Sequence, residues 1–226
     1  MHLRIFELAR NYLQYDTKQF NIIGGYLSPV HDSYGKSSLI DSSHRYTMCH
    51  IALESHKWLN VSDIEIEQVQ WTPTADVLSI YSNAINHQLQ HQSSTKNSLP
   101  VHPVNVLLLC GADLLSSVLV PNLWATEHLD IIFGKYGVAV IERTGMDLNE
   151  LINNNSILYK YKHNIHIIPQ TITNTISSTS VRQLLQKNQS VKYLIPDKVI
   201  DYIVKHELYG VDKQLYTERH LNTNNK

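Results

Sequence analysis

The run Val104-Asn105-Val106-Leu107-Leu108-Leu109-Cys110, followed at once by Gly111-Ala112-Asp113, decides how the rest of the chain is read. It is far too short to cross a membrane and too continuously apolar for a strand with one wet face. A strand of this kind is covered on both faces, as in a parallel sheet flanked by helices. Gly111 stops it, and a helical pattern follows over 112–118.

Further apolar runs take their place around it. Phe20–Leu27 (FNIIGGYL) reads as a buried strand ended by Ser28-Pro29, and Gly137–Ile141 and Ile165–Ile168 read as two more. Val61–Glu67 alternates, with Ile64 and Ile66 against Glu65 and Glu67, which predicts a strand with one face wet. Helical spacing predicts helices over 2–15, 43–58, 74–90, 124–131, 178–187 and 197–207. Residues 91–102 (HQSSTKNSLPVH) read as a loop or linker, and the polar tail 211–226 is expected to fray. The first helix opens at Met1 with no capping residue ahead of it.

Strands alternating with helices predict an α/β domain over 1–210 with a parallel sheet. Such sheets bind ligands beyond the carboxyl ends of their strands. The segments to search are therefore Ser28–Ser38, Gly111–Leu115, Arg143–Gly145 and Gln170–Arg182.

The 226 residues carry a net charge of -1 and are 42% hydrophobic, enough for a proper core. No Lys/Arg-rich face argues for nucleic acid, and no segment argues for a membrane or a secretion signal. Cys49 and Cys110 fit packing roles in a reducing compartment. Among the 13 histidines, His87 and His91 share a helix face and His163 lies near His166. No HExxH or obvious third ligand joins them, so they read as surface histidines and no protein metal site is expected.

Three segments carry candidate chemistry. Ser177, Ser178, Thr179 and Ser180 stand at a helix start, where hydroxyls and backbone N–H groups either cap the helix or cradle a phosphate. Arg182, one turn on, can close over the same anion; a plain cap with a solvated arginine is the alternative. Gly35-Lys36-Ser37-Ser38 imitates a P-loop, but the required earlier glycine is Val30, so the motif fails and Lys36 is left as a phosphate ligand or a solvated lysine. Gly111 permits close approach of a ligand, and Asp113 either accepts from a ribose hydroxyl or caps the next helix. Nothing resembles a covalent nucleophile.

Taken together these segments resemble the eukaryotic nicotinamide/nicotinate mononucleotide adenylyltransferases, over Met1 to about Gly210. The resemblance rests on Met1-His2-Leu3-Arg4 with Phe6-Glu7-Leu8-Ala9, and on Leu27-Ser28-Pro29-Val30 through Tyr34 and Lys36. It continues with Trp71 and Thr74, Leu109 through Leu115, Val120-Pro121-Asn122-Leu123-Trp124, and Ile176-Ser177-Ser178-Thr179 through Arg182. It implies a Rossmann-like, doubly wound parallel sheet of the nucleotidyltransferase type. It implies a reaction in which ATP and a pyridine mononucleotide give a dinucleotide and pyrophosphate, with Mg²⁺ bound mainly through the ATP phosphates. His2 and Arg182 would be catalytic, holding the triphosphate with Thr179 while the Ser177–Val181 helix start donates N–H groups. Lys36 and Tyr34 would meet the mononucleotide. Trp71 and Trp124 would flank its pyridine ring beside Thr74 and Leu123, and Gly111, Asp113 and Asn174 would shape the nucleoside pocket.

Three departures accompany the likeness. Ile64 precedes Glu65 where the family often has tryptophan, Gln170 stands where an acidic residue is usual, and the 91–102 loop carries only Lys96 as a basic residue. That loop favours a cytoplasmic over a nuclear address. The family's first central strand and its Gly-x-Phe-x-Pro turn would lie ahead of Met1, and loss of such a strand would cost on the order of 5–15 kcal/mol. A non-catalytic, chaperone-like or nucleotide-binding interaction module is therefore the alternative expectation. Small nucleotides are the expected partners, and a homo-oligomer is compatible with the sequence.

Overall fold

The computed structural model describes residues 2–37, 39–93, 102–172 and 176–220. Its elements are α1 (His2–Arg10), β1 (Gly25–Leu27), α2 (Ser42–Leu53), β2 (Leu59–Val61), α3 (Thr74–Ser93), β3 (Leu108–Gly111), α4 (Ala112–Ser117) and α5 (Thr126–Leu129). There follow β4 (Val138–Ile141), α6 (Leu148–Asn154), α7 (Ser156–Lys160), β5 (Ile165–Ile168), α8 (Ser178–Gln186), α9 (Asp197–Lys205) and α10 (Lys213–His220). α1 runs on into a π-helical turn over Asn11–Asp16, and α5 into another over Asp130–Tyr136. Every strand pair is parallel, so the fold is α/β.

The strands form two sheets, where the sequence predicts one: β1 pairs with β2, and β3, β4 and β5 pair in that order. The chain divides accordingly into two compact units. One comprises residues 1–2, Ile23–Trp71 and 174–226; the other comprises Leu3–Ile22 and 72–173.

In the second unit β4 is the middle strand and all its side chains are buried. They alternate between two cores. Val138 and Val140 pack with Leu115, Ile132, Phe133, Leu148 and Leu158, whereas Ala139 and Ile141 pack with Leu8, Ala9 and Leu13 of α1 and its π-helical extension. Helices thus cover both faces, which is why these strands read as unbroken apolar runs. Burying each Val, Leu or Ile side chain contributes about 1.5–3 kcal/mol. β3 departs from expectation: it starts only at Leu108, includes Gly111, and among its residues only Cys110 is fully buried. As one of the two outer strands of its sheet, it is paired along one edge only among the described residues.

In the first unit the β1–β2 ladder sets Gly25 against Leu59 and Leu27 against Val61. The strand predicted over Phe20–Leu27 shrinks to its last three residues and is not buried, since Tyr26 is 45% exposed. The strand predicted over Val61–Glu67 is displaced: β2 ends at Val61, and residues 64–67 form turns. Ile64 and Ile66 are half-buried in those turns, which mimics a strand's alternation. The core of this unit gathers Val181 and Leu185 of α8 with Val199, Ile200, Ile203 and Val204 of α9.

Three helices lie where the sequence predicts none. α6 and α7 fill 148–160, joined at Asn155, whose side chain accepts from the N–H groups of Ile157 and Leu158 and so starts α7. The tail, expected to fray, forms α10 over Lys213–His220, with Asp212 accepting from the Leu215 N–H at 2.8 Å. Tyr216 anchors it, only 1% exposed, its hydroxyl accepting from the Val191 N–H at 3.3 Å. Of the predicted 91–102 linker, His91 to Ser93 extend α3 and residues 94–101 lie outside the described residues.

Candidate functional site

The predicted site residues divide between the two units. His2, Tyr34, Lys36, Trp71 and Ser177–Arg182 belong to the first, and Thr74, Gly111, Asp113, Leu123 and Trp124 to the second. Asn174 lies outside the described residues.

In the first unit the loop after β1 is tied down by its own polar groups. His31 Nδ1 accepts from the Ser33 N–H at 3.1 Å and bonds the Ser33 hydroxyl at 2.8 Å. Ser33 Oγ accepts from the Trp71 N–H at 2.7 Å. Asp32 accepts from the Ser42 hydroxyl and the Arg45 guanidinium, both at 2.7 Å. Burial works against the Asp32 charge, but those two bonds outweigh it and hold the carboxyl below its usual range. Arg45 also donates to the Ile40 carbonyl at 2.8 Å, bracing the loop against the start of α2. The outcome is a shaped segment whose Tyr34 and Trp71 rings face each other at 5.8 Å and 43°. Both rings are exposed, and Gly35 turns the chain at φ +76° to present Lys36 to solvent. None of His31, Asp32, Ser33 or Arg45 stands out in the sequence, because their bonds reach up to 38 residues along it. The only available signal is that the loop leaves the carboxyl end of a strand.

The start of α8 shows the capping reading of the Ser/Thr cluster directly. Ser177 and Ser180 form a reciprocal capping box, each hydroxyl accepting from the other's N–H at 3.0 Å. Ser178 and Thr179 are exposed in the first turn, and their N–H groups meet no partner among the described residues. Such orphan donors, at the positive end of a helix dipole, are able to meet an anion. Val181 points inward, and Arg182 is half-buried with its guanidinium carbon 6.0 Å from the centre of the Tyr209 ring. The arginine is thereby positioned by packing rather than left to sweep through solvent. His2 is exposed as a residue, yet desolvation by the protein around its ring lowers the imidazole below its usual pKa.

In the second unit the chemistry gathers at the carboxyl ends of β3 and β4. Gly111 ends β3, and a Cβ added there would meet nothing within 4 Å, so backbone is open to approach. Asp113 pairs with Arg143, which follows β4. Both side chains are more than half exposed, so the pair adds little stability and yields easily to a ligand. Arg143 has no assigned role in the sequence, although its segment is one of those flagged. Leu123 is 57% exposed, whereas Trp124 packs against the core and donates from Nε1 to Ser117 Oγ at 3.0 Å. Thr74 is half-buried at the first position of α3.

Neither cysteine offers a nucleophile. Both are free; burial pushes the Cys110 thiol up to about 12 and raises Cys49 as well.

Comparison with known proteins adds the family. The cytidylyltransferase-like family model matches residues 1–184. The chain is 38% identical to the nicotinamide/nicotinic acid mononucleotide adenylyltransferase 1 of Bos taurus, over 95% of this chain and 85% of that one. The chain belongs to the nicotinamide/nicotinic acid mononucleotide adenylyltransferases. Another member, from Arabidopsis thaliana, is 39% identical over 92% of this chain and 84% of its own. A Saccharomyces cerevisiae adenylyltransferase reaches 41% identity over 92% of this chain, and the match spans 52% of that longer protein. The candidate residues of each unit, His2 to Arg182, fall inside the residues the family model matches.

Proposed function

We propose that this adenylyltransferase moves the adenylyl group of ATP onto the phosphate of nicotinamide or nicotinic acid mononucleotide, giving the dinucleotide and pyrophosphate. The observation that carries the reading is the start of α8. A capping box there holds the helix fixed while two exposed first-turn N–H groups, two hydroxyls and Arg182 stand ready for a polyphosphate.

In this reaction a mononucleotide phosphate oxygen attacks the α-phosphorus of ATP, the bond to the β-phosphate oxygen breaks, and pyrophosphate leaves with the electron pair. No protein group is covalently modified, in keeping with burial that holds both cysteine thiols protonated. The protein's work is placement and charge neutralisation. Ser178, Thr179 and Arg182 hold the leaving β- and γ-phosphates and offset the negative charge that builds on them. His2, near the start of α1, donates to the same phosphates. Lys36 meets the mononucleotide phosphate, and Trp71, backed by Tyr34, offers an exposed flat face to the pyridine ring. Asp113, released from Arg143, accepts from a ribose hydroxyl, with Gly111 allowing the nucleoside close to the backbone.

Mg²⁺ is the expected companion of the triphosphate. Among the described residues no three carboxylate, imidazole or thiolate groups converge to hold a metal ion. The ion would take its ligands from phosphate oxygens and water, as Mg²⁺ commonly does, and would supply charge neutralisation.

Steady-state dinucleotide formation, measured with ATP varied at saturating mononucleotide, tests the role of α8. Arg182→Ala should lower kcat/KM for ATP by on the order of 100-fold, the usual effect of removing one preorganised donor to developing charge. An unchanged value would refute the assignment.

A further inference from the structure

α3 is a 20-residue helix, and near its end the side chains of His87 and His91 stand one turn apart on one face. Their Nε2 atoms lie 3.1 Å apart, with ring centroids 4.3 Å apart and planes at 70°. Both residues are exposed. We propose that this pair is a chelating site for a divalent transition-metal ion of imidazole preference, such as Ni²⁺, Cu²⁺ or Zn²⁺, separate from the nucleotide chemistry.

An ion about 2.0–2.1 Å from each nitrogen, the usual imidazole distance, would see a 3.1 Å pair at an angle of about 100°. That angle lies between the octahedral right angle and the tetrahedral angle, so either coordination sphere accepts the pair with little movement. Nitrogens this close face two outcomes: one N–H is shared between the rings as a hydrogen bond, or a cation replaces that proton and takes both lone pairs. Nε2 is an ordinary metal-binding atom of histidine, and imidazole suits zinc, copper and nickel better than magnesium or calcium. Exposure leaves the remaining coordination positions to water. The absence of a third protein ligand among the described residues makes this an open, two-point site and not a structural zinc cage.

The helix supplies the affinity. One imidazole is a weak monodentate ligand, but the second is already held at bonding distance, so its binding is intramolecular. Occupancy would also clip the last turns of α3, because the ion binds only when residues 87 and 91 keep their helical spacing.

Titration of the full chain with NiCl₂ at neutral pH, followed by calorimetry, tests the proposal. The tightest site should hold one ion per chain. Its affinity should fall on the order of 100-fold in His87→Asn and equally in His91→Asn, and stay unchanged in His163→Asn. Circular dichroism of each metal-free variant should match the parent, since neither ring is buried. Independently of any variant, Ni²⁺ should broaden the imidazole NMR signals of His87 and His91 together, ahead of the other histidines. Equal affinity in parent and variants, a loss in one variant only, or broadening that begins at other histidines would each overturn the chelate.

Discussion

Glu65 sits half-buried in the turns after β2, and burial raises its carboxyl above the usual carboxylate range against the pull of Arg45. The folded state therefore holds this proton more tightly than the unfolded chain does. Stability from this group is present at acid pH and is lost as pH rises from the unfolded value through the folded one. Glu65→Gln should remove that loss: its melting temperature should gain on the parent's as pH goes from 4 to 7. Thermal melts across that range check it, and a constant offset between the two proteins would contradict it. The same scale shows why so much of the site escaped the sequence. Ser177 to Arg182 announced themselves as a run of hydroxyls before a helix. The Asp32–Arg45, Ser33–Trp71 and Asp113–Arg143 pairings join segments that no local pattern connects. Trp124, whose ring the resemblance sets beside the pyridine, is half-buried and held by its indole N–H on Ser117, a bond that leaves the ring faces uncommitted.

At the scale of elements, legibility followed burial. β4 and β5 were readable because helices on both faces force an apolar run, and α8 and α9 because one face only is buried. β2 was not, since half-buried isoleucines in turns reproduce a two-residue period. α10 was missed because a single deeply buried Tyr216 does the anchoring in an otherwise polar stretch. Tyr216→Ala should therefore destabilise the protein by about 3–5 kcal/mol, measurable by urea denaturation. A cost below 1 kcal/mol would show that α10 is dispensable. The junction into β4 rests on Gly137, at φ +86° with the Asn164 carbonyl oxygen 3.0 Å and a Leu107 methyl 3.1 Å from where a Cβ would stand. Gly137→Ala combines left-handed strain with a clash against backbone. It should cost about 1–3 kcal/mol, again by urea denaturation; a neutral substitution would contradict the strain.

For the whole molecule, the alternation of strands and helices made the α/β class readable, and the resemblance carried by His2, Trp71, Gly111-Ala112-Asp113 and Ser177 to Arg182 named the family that the comparisons bear out. The division of the strands into two sheets was not readable, because strand order is set by contacts distant in sequence. On the proposed reading the chain works by positioning, through a braced loop after β1, an open backbone after β3 and a capped helix start at α8. The most direct test supplies the purified protein with nicotinamide mononucleotide, Mg²⁺ and ATP labelled at the α-phosphorus. The label should appear in the dinucleotide, matched mole for mole by unlabelled pyrophosphate, with none retained on the protein. Label retained on the protein, released as AMP, or left wholly in ATP would contradict direct adenylyl transfer.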